Sequence, residues 1–118
     1  MEALVVDDSA FMRNMMKKIL EDMDFEEIHE ASNGEEAIEL MEEEDLDIVT
    51  LDIVMDKMDG LETLDEVNER GIDVDIIMVS AVGQEQMVEE AKEKGAETFV
   101  DKPFEEEEVK ETVTDIIV

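Results

Sequence analysis

Short apolar runs alternate with segments of helical periodicity along the chain. The first unit contains the run L-V-V at positions 4–6, then Ser9 as a candidate helix cap, then apolar residues spaced three or four positions apart. This spacing predicts one apolar helix face that packs on the strand. The residues on this face are Phe11, Met15, Met16, Ile19, Leu20 and Met23.

Four further units repeat the order of strand and helix. Apolar character predicts strands at 26–31, 46–52, 75–80 and 97–101. Asn33 is a candidate cap for the second helix, and Gly71 and Gly95 are the expected ends of the third and fourth. The last helix is predicted to begin after Pro103. Its inward residues are Val109, Val113, Ile116 and Ile117.

Five strand–helix units in 118 residues predict one α/β domain over residues 1–118. Short connections and apolar strands favour a parallel sheet that is covered by helices on both faces. Because crossovers between parallel strands are right-handed, few arrangements remain. We expect the doubly wound, flavodoxin-like (βα)5 fold with strand order 2-1-3-4-5.

The charge of the chain is extreme, with 38 Asp and Glu against 9 Lys and Arg and a formal net charge of −29. This charge disfavours partners such as nucleic acid or an anionic membrane. Disorder is one alternative, but the regular apolar pattern argues against it. A dedicated basic partner is another, but the acids are spread along the whole chain. Life in concentrated salt is the third alternative, because the Debye length is roughly 3 Å at 1 M and dispersed surface charges then scarcely repel one another. The acid-rich composition resembles that of proteins from halophilic archaea.

Other features of the composition predict a soluble cytoplasmic protein. The chain has no Cys, which excludes disulfides and thiolate chemistry. Its first residues show no signal-peptide pattern, and no segment reaches the roughly 18 apolar residues of a membrane span.

Polar residues end three of the strands that are expected to be neighbours. Asp7 and Asp8 follow the first strand, Asp52 ends the third, and Ser80 ends the fourth. Ligands of such sheets bind at the carboxyl ends of the strands. Like charges about 4–5 Å apart cost roughly 3–4 kcal/mol at an effective dielectric near 20, so three clustered acids must hold a cation or take up protons. Oxygen ligands alone favour Mg²⁺.

Lys102 is one of few cations and precedes the only proline of the chain. Pro103 favours an extended backbone at Lys102, and the bond between them is a candidate cis peptide. Lys102 can then point back across the strand ends towards the acids. A surface lysine before an ordinary helix-starting proline is the alternative.

A carboxylate beside Mg²⁺, a hydroxyl and a lysine can support phosphoryl transfer. Asp52 is the best candidate nucleophile because it ends the central strand. Asp7 and Asp8 are better placed to hold the metal, and Ser80 and Lys102 to stabilise the transferring oxygens.

The motifs V-V-D-D-S, D-I-V-T-L-D-I-V-M, M-D-G, V-S-A and D-K-P-F occur in this order. Their order and intervals resemble those of a response-regulator receiver domain. The segments S-A-F-M-R-N-M-M and S-A-V-G-Q-E-Q-M-V-E-E-A further resemble single-domain chemotaxis regulators of the CheY type. The resemblance spans the whole chain, so we expect a receiver domain without an output domain.

This resemblance implies that Asp52 accepts a phosphoryl group from a histidine kinase of the chemotaxis type. It implies Mg²⁺ held by Asp8, Asp52 and the backbone carbonyl of Val54, with Asp7 acting mostly through water. The protein would be a phosphoacceptor switch whose only catalysis is its own phosphorylation and dephosphorylation.

The resemblance also implies the moving parts of the switch. Ser80 and Phe99 would change position, Lys102 would contact the phosphoryl group, and the Lys102–Pro103 bond would be cis. The face formed by the fourth helix, fifth strand and fifth helix would then bind a motility adaptor or motor protein. A phosphatase is a further implied partner, and the chain is expected to be a monomer.

Three positions depart from the family pattern. Asp56 stands where proline is common, which affects the shape of the loop. Val54 places no polar side chain beside the phosphoryl group, so the lifetime of the phosphate does not follow from the sequence. Phe99 replaces the tyrosine of many chemotaxis members, so a hydroxyl contact to the partner is excluded.

Three other functions compete with the phosphorylated switch. A phosphorelay intermediate has the same chemistry but passes the group to another histidine. A haloacid-dehalogenase-type phosphatase also uses Asp, Mg²⁺, Ser or Thr and Lys, but it needs a second acid where this chain has Val54. An interaction module that does not take up phosphate would keep only the fold.

Overall fold

The computed structural model of the protein describes residues 1–96 and 98–117. These residues form strands and helices in strict alternation, and none of their helices is long and apolar enough to cross a membrane. The strands are β1 (Glu2–Val6), β2 (Glu27–Ala31), β3 (Ile48–Asp52), β4 (Asp75–Ser80) and β5 (Thr98–Asp101). The helices are α1 (Ala10–Glu21), α2 (Gly34–Glu43), α3 (Gly60–Arg70), α4 (Glu85–Glu93) and α5 (Glu106–Ile117). Glu97, the first residue of the predicted fifth strand, lies outside the described residues.

The strands form one parallel sheet in the order β2-β1-β3-β4-β5. The predicted doubly wound fold is therefore confirmed. The order reverses direction between β1 and β3, which places their carboxyl ends side by side at the edge where ligands bind in such folds.

Alternate residues of the sheet pack into two separate cores. Leu4 and Val6 of β1 face α2, α3 and α4, whereas Ala3 and Val5 face α1 and α5. Because both faces are covered, β3 is buried along its whole length, as its near-continuous apolar sequence indicates. The two layers of helices hold the strand ends in fixed positions.

The helix boundaries follow local hydrogen bonds. The side chains of Ser9 and Asn33 accept from the backbone N–H groups of Met12 and Glu36, as expected for caps. Gly71 ends α3 in the left-handed conformation, with φ of 62°. The α4 helix ends at Glu93, two residues before the predicted stop at Gly95.

The predicted apolar face of α1 is wrong at two residues. Met16, Ile19 and Leu20 are buried, but Phe11 is 72% exposed and Met15 is 38% exposed. With 3.6 residues per turn, Phe11 lies about a third of a turn from the centre of the buried stripe. The spacing of apolar residues assigns Phe11 to the apolar face of α1, but the sheet covers a narrower part of the helix surface than this face.

Candidate functional site

Three charged side chains meet at the carboxyl ends of β1, β3 and β5. The ammonium nitrogen of Lys102 lies 3.0 Å from Oδ2 of Asp7 and 3.1 Å from Oδ2 of Asp52. Both carboxylates are buried, and the Lys102 side chain is 19% exposed. The structure thus brings together the lysine and acids that the sequence placed on separate strand ends.

Asp7 is held by several backbone contacts. Its Oδ1 accepts from the N–H of Ser9 at 2.9 Å, and its own N–H donates to the carbonyl of Ala31 at 3.1 Å. The guanidinium of Arg13 donates to the carbonyl oxygen of Asp7 at 2.6 Å and to Glu30 at 3.2 Å. The sequence reasoning missed Arg13, although it is one of few cations and lies one turn into α1.

Burial and neighbouring charges shift the pKa values of Asp52 and Lys102. Burial raises the pKa of Asp52 to about 6, the carboxylates of Asp7 and Asp8 add to the rise, and the Lys102 ammonium opposes it. Burial alone would lower the pKa of Lys102, but its bonds to Asp7 and Asp52 raise it above the ordinary value. Asp52 is therefore a carboxylate whose negative charge is poorly solvated and only partly offset.

The acids also offer a set of ligands for a hard cation. Asp7, Asp8 and Asp52 each contribute one carboxylate oxygen, and these oxygens lie within 4.8 Å of one another. Asp8 is exposed, and Val54, two residues after Asp52, is 47% exposed, so solvent reaches the cluster. An oxygen-only set open to water fits Mg²⁺, which retains several waters when bound.

The loop after β3 is fixed by Gly60, which the sequence analysis named only as the last residue of the motif M-D-G. The N–H of Gly60 donates to the carbonyl of Ile53 at 2.8 Å. A Cβ atom at Gly60 would lie 2.5 Å from the carbonyl oxygen of Asp52 and 2.8 Å from Cα of Ile53. Asp59 caps α3 in a reciprocal arrangement with Glu62. The start of α3 therefore packs directly against the backbone of Asp52.

Ser80 and Phe99 border a separate cavity beside the cluster. The hydroxyl of Ser80 donates to Oδ1 of Asp101 at 3.3 Å. A cavity of about 410 Å³ lies next to it and is bounded by Val88, Phe99 and Lys102 among others. Phe99 is half-buried against the larger core, with the Lys92 ammonium 5.8 Å from its ring centroid. Asp101, the partner of Ser80, was not identified from the sequence.

Backbone geometry at two further positions shapes the site. The Lys102–Pro103 peptide bond is cis, and the N–H of Lys102 donates to the carbonyl of Ser80 at 2.6 Å. In the loop after β3, Lys57 adopts a positive φ of 58° directly after Asp56. The loop in which Asp56 replaces the common proline therefore turns through a left-handed residue, a conformation uncommon for lysine.

The doubly wound sheet therefore carries buried acids at two adjacent strand ends and a lysine that reaches them from a third strand. The sequence profile of the response regulator receiver domain family matches residues 3–114. The chain belongs to this family.

Several named relatives are similar over nearly their full length. Chemotaxis protein CheY of Listeria monocytogenes is 47% identical over 113 residues, which cover 96% of this chain and 95% of the relative. Chemotaxis protein CheY of Halobacterium salinarum is 41% identical over 116 residues, covering 98% and 96%. The crystal structure of the CheX–CheY–BeF3–Mg²⁺ complex from Borrelia burgdorferi contains a chain with a TM-score of 0.88 and 39% identity, covering 99% of this chain and 89% of that one.

Proposed function

We propose that this receiver domain accepts a phosphoryl group on Asp52 and thereby works as a stand-alone switch in chemotaxis signalling. The observation that carries the proposal is the buried Asp52 carboxylate with Lys102 3.1 Å away and two further acids beside it. A carboxylate oxygen of Asp52 attacks phosphorus of a phosphohistidine, the P–N bond breaks, and the imidazole leaves and takes up a proton. The product is an acyl phosphate on Asp52.

Lys102 would stabilise the transferring oxygens from its position beside Asp52. Its ammonium is already anchored on two strands, so little reorganisation accompanies the reaction. Asp7, Asp8, Asp52 and the carbonyl of Val54 would hold Mg²⁺, which offsets the negative charge of the phosphoryl group. The Borrelia burgdorferi relative, which was solved with BeF3 and Mg²⁺, supports this assignment.

The cavity beside Ser80 supports a conformational response. Phosphorylation adds strong hydrogen-bond acceptors at Asp52, and the Ser80 hydroxyl would leave Asp101 to donate to one of them. The half-buried ring of Phe99 would then turn into the neighbouring space of about 410 Å³. The surface of α4, β5 and α5 would thereby change shape for a partner.

The names of the relatives suggest the partners of the switch. A histidine kinase of the chemotaxis type would supply the phosphoryl group, and a motility adaptor or motor protein would recognise the altered face. A phosphatase is a further expected partner, and the Borrelia burgdorferi relative was solved in a complex with a second protein, CheX. The net charge of −29 argues against a nucleic-acid or membrane partner and favours a saline environment. We further expect the protein to be a cytoplasmic monomer.

Hydrolysis would reset the switch. Water attacks phosphorus, the bond between phosphorus and the Asp52 oxygen breaks, and inorganic phosphate leaves a free carboxylate. The chain would therefore show only its own phosphorylation cycle and no steady turnover of small phosphate esters. A phosphorelay intermediate would instead return the group to a second histidine protein.

Intact-mass analysis in concentrated KCl tests this function. With Mg²⁺ and acetyl phosphate, the wild-type chain should gain the mass of one phosphoryl group, and the Asp52→Asn variant should not. Equal gains in both proteins, or none in the wild type, would reject Asp52 as the acceptor.

A further inference from the structure

A second group of metal-ligating side chains lies at the opposite end of the sheet from Asp52. Glu2 begins β1 and pairs in register with Glu27 at the start of β2. His29, two residues further along β2, lies on the same face of the sheet because side chains alternate along a strand. Glu44 directly follows the last residue of α2, on the face that this helix covers. Three elements therefore contribute to one group.

The ligand atoms of this group lie close enough together for a metal ion to bind after small side-chain rotations. Nε2 of His29 lies 3.0 Å from Oε1 of Glu2 and 3.4 Å from Oε2 of Glu27. One ligand atom from each of Glu2, Glu27, His29 and Glu44 lies within 4.8 Å of all the others. Bonds of about 2.0–2.2 Å in a tetrahedral site separate ligand atoms by roughly 3.3–3.6 Å. Glu2 and Glu44 are partly exposed and Glu27 is exposed, so small rotations of their side chains would close the remaining gap.

The charge of the group is not balanced by the protein. Among the described residues, no Lys or Arg forms an ion pair with Glu2, Glu27 or Glu44, and the nearby N-terminal ammonium pairs with Glu26. By contrast, Glu30, which also lies on β2, pairs with Arg13 and Lys17 of α1.

One imidazole supplies at most a single positive charge against three carboxylates. The carboxyl end of α2, next to Glu44, adds further negative potential. Because like charges at this spacing repel strongly, a bound cation is the natural way to balance them.

We propose that Glu2, Glu27, His29 and Glu44 bind a divalent transition-metal ion, with Zn²⁺ as the expected occupant. The imidazole distinguishes this group from the oxygen-only cluster at Asp52, because imidazole suits zinc whereas carboxylates and water alone suit magnesium. The ion would connect the start of β1, the edge strand β2 and the end of α2. It would act as a structural clamp at the edge of the sheet remote from Asp52.

His29 is the only histidine of the chain, so its imidazole signals in NMR spectra need no assignment. The wild-type protein is titrated with Zn²⁺ in concentrated KCl with excess Mg²⁺ to occupy the Asp52 cluster. We expect the ring signals to shift until one equivalent is bound and the melting temperature to rise. Ring signals that do not move while Zn²⁺ binds elsewhere, or that move only with many equivalents, would overturn the proposal.

Two variants separate this site from general attraction to an acidic surface. His29→Gln and Glu44→Gln should each weaken Zn²⁺ binding at least tenfold in calorimetric titrations and abolish the rise in melting temperature. Glu39→Gln removes an exposed acid from the same helix as a matched control and should change neither. Equal losses in all three variants, or none, would contradict a defined site. If His29→Gln does not fold, the comparison of Glu44→Gln with Glu39→Gln and the wild-type NMR titration still test whether Zn²⁺ binds at this site.

Discussion

The ammonium of Lys102 lies 3.1 Å from the carboxylate of Asp52, although the strands that carry them are not neighbours in the sheet. The side chain extends across the end of β4, and the same nitrogen lies 3.0 Å from Asp7 on β1. One cation therefore links three strands at the edge where the acids meet. A divalent ion at Asp7 and Asp52 would compete with Lys102 for the same oxygens.

This competition predicts that Lys102→Met increases the affinity for Mg²⁺. The variant removes a positive charge a few ångströms from the metal ligands and leaves their carboxylates unpaired. At an effective dielectric near 20, such an interaction corresponds to a change of roughly tenfold or more in affinity. Titration calorimetry with Mg²⁺ in KCl measures the difference.

Lys110→Met is the matched control for the lysine. Lys110 is also a lysine in ion pairs, with Asp22 and Glu106, but it lies on α5 away from the cluster. Its removal should leave Mg²⁺ affinity unchanged. Weaker binding in Lys102→Met than in the wild type would show that the lysine helps to build the metal site instead of competing with the ion.

The raised pKa of Asp52 predicts a pH-dependent loss of stability. Because the folded protein holds this proton up to pH about 6 while the unfolded chain releases it near 3.8, stability falls as the pH rises through this interval. Ionising Asp52 in the folded protein lowers the free energy of unfolding by about 3 kcal/mol. Mg²⁺ bound at the cluster would restore part of this loss. Asp52→Asn should therefore be more stable than the wild type above pH 6 without Mg²⁺.

The difference in free energy of unfolding between the two proteins isolates this effect from the other acids. Urea unfolding in KCl and EDTA from pH 3.5 to 7.5 should show the advantage of Asp52→Asn growing through the interval and then levelling. A difference that does not change with pH would mean that Asp52 has an ordinary pKa.

The fold was predictable because its signals are local and repeated. Short apolar runs identify β1, β3 and β4, and Ser9, Asn33 and Gly71 mark helix ends through hydrogen bonds within one turn. Once the order of the strands follows from handed crossovers, the ends that carry Asp7 and Asp52 lie side by side, and Lys102 follows a strand close enough to reach them. The convergence of the site is thus a property of topology, which sequence pattern can reach.

The remaining details depend on contacts between residues distant in sequence. The partner of Ser80 is Asp101, and this choice depends on how β4 and β5 align. The exposure of Phe11 depends on how far the sheet extends beneath α1. Arg13 reaches the backbone of Asp7 only because α1 folds back over its own strand. No periodic pattern in the sequence encodes these distances.

The close approach of Gly60 to Asp52 predicts a stability defect in Gly60→Ala. The added Cβ would lie 2.5 Å from the carbonyl oxygen of Asp52, so the start of α3 or the loop after β3 must move. Overpacking of this kind costs about 1–3 kcal/mol. Phosphorylation by acetyl phosphate should slow as well, because the displaced backbone carries Asp52, the proposed acceptor. Chemical unfolding and intact-mass time courses measure the two effects.

Glu69→Ala controls for helix propensity, because it introduces alanine at an exposed position of the same helix. Alanine favours helix more than glycine, so propensity alone would stabilise Gly60→Ala. A stable Gly60→Ala with normal phosphorylation would show that the loop accommodates a side chain.

The net charge of −29 predicts that the fold depends on salt. The Debye length grows from about 3 Å at 1 M to about 30 Å at 0.01 M, so dilution allows acids on all faces of the domain to repel one another. Circular dichroism should show loss of helical signal and a lower melting temperature as KCl is removed. The Asp52→Asn variant should respond in parallel, since one acid of 38 contributes little to the general repulsion. Sucrose at matched osmolality should not replace KCl, because it is uncharged and cannot screen. An unchanged spectrum and melting temperature in salt-free buffer would instead mean that the dispersed ion pairs and the two cores suffice without screening.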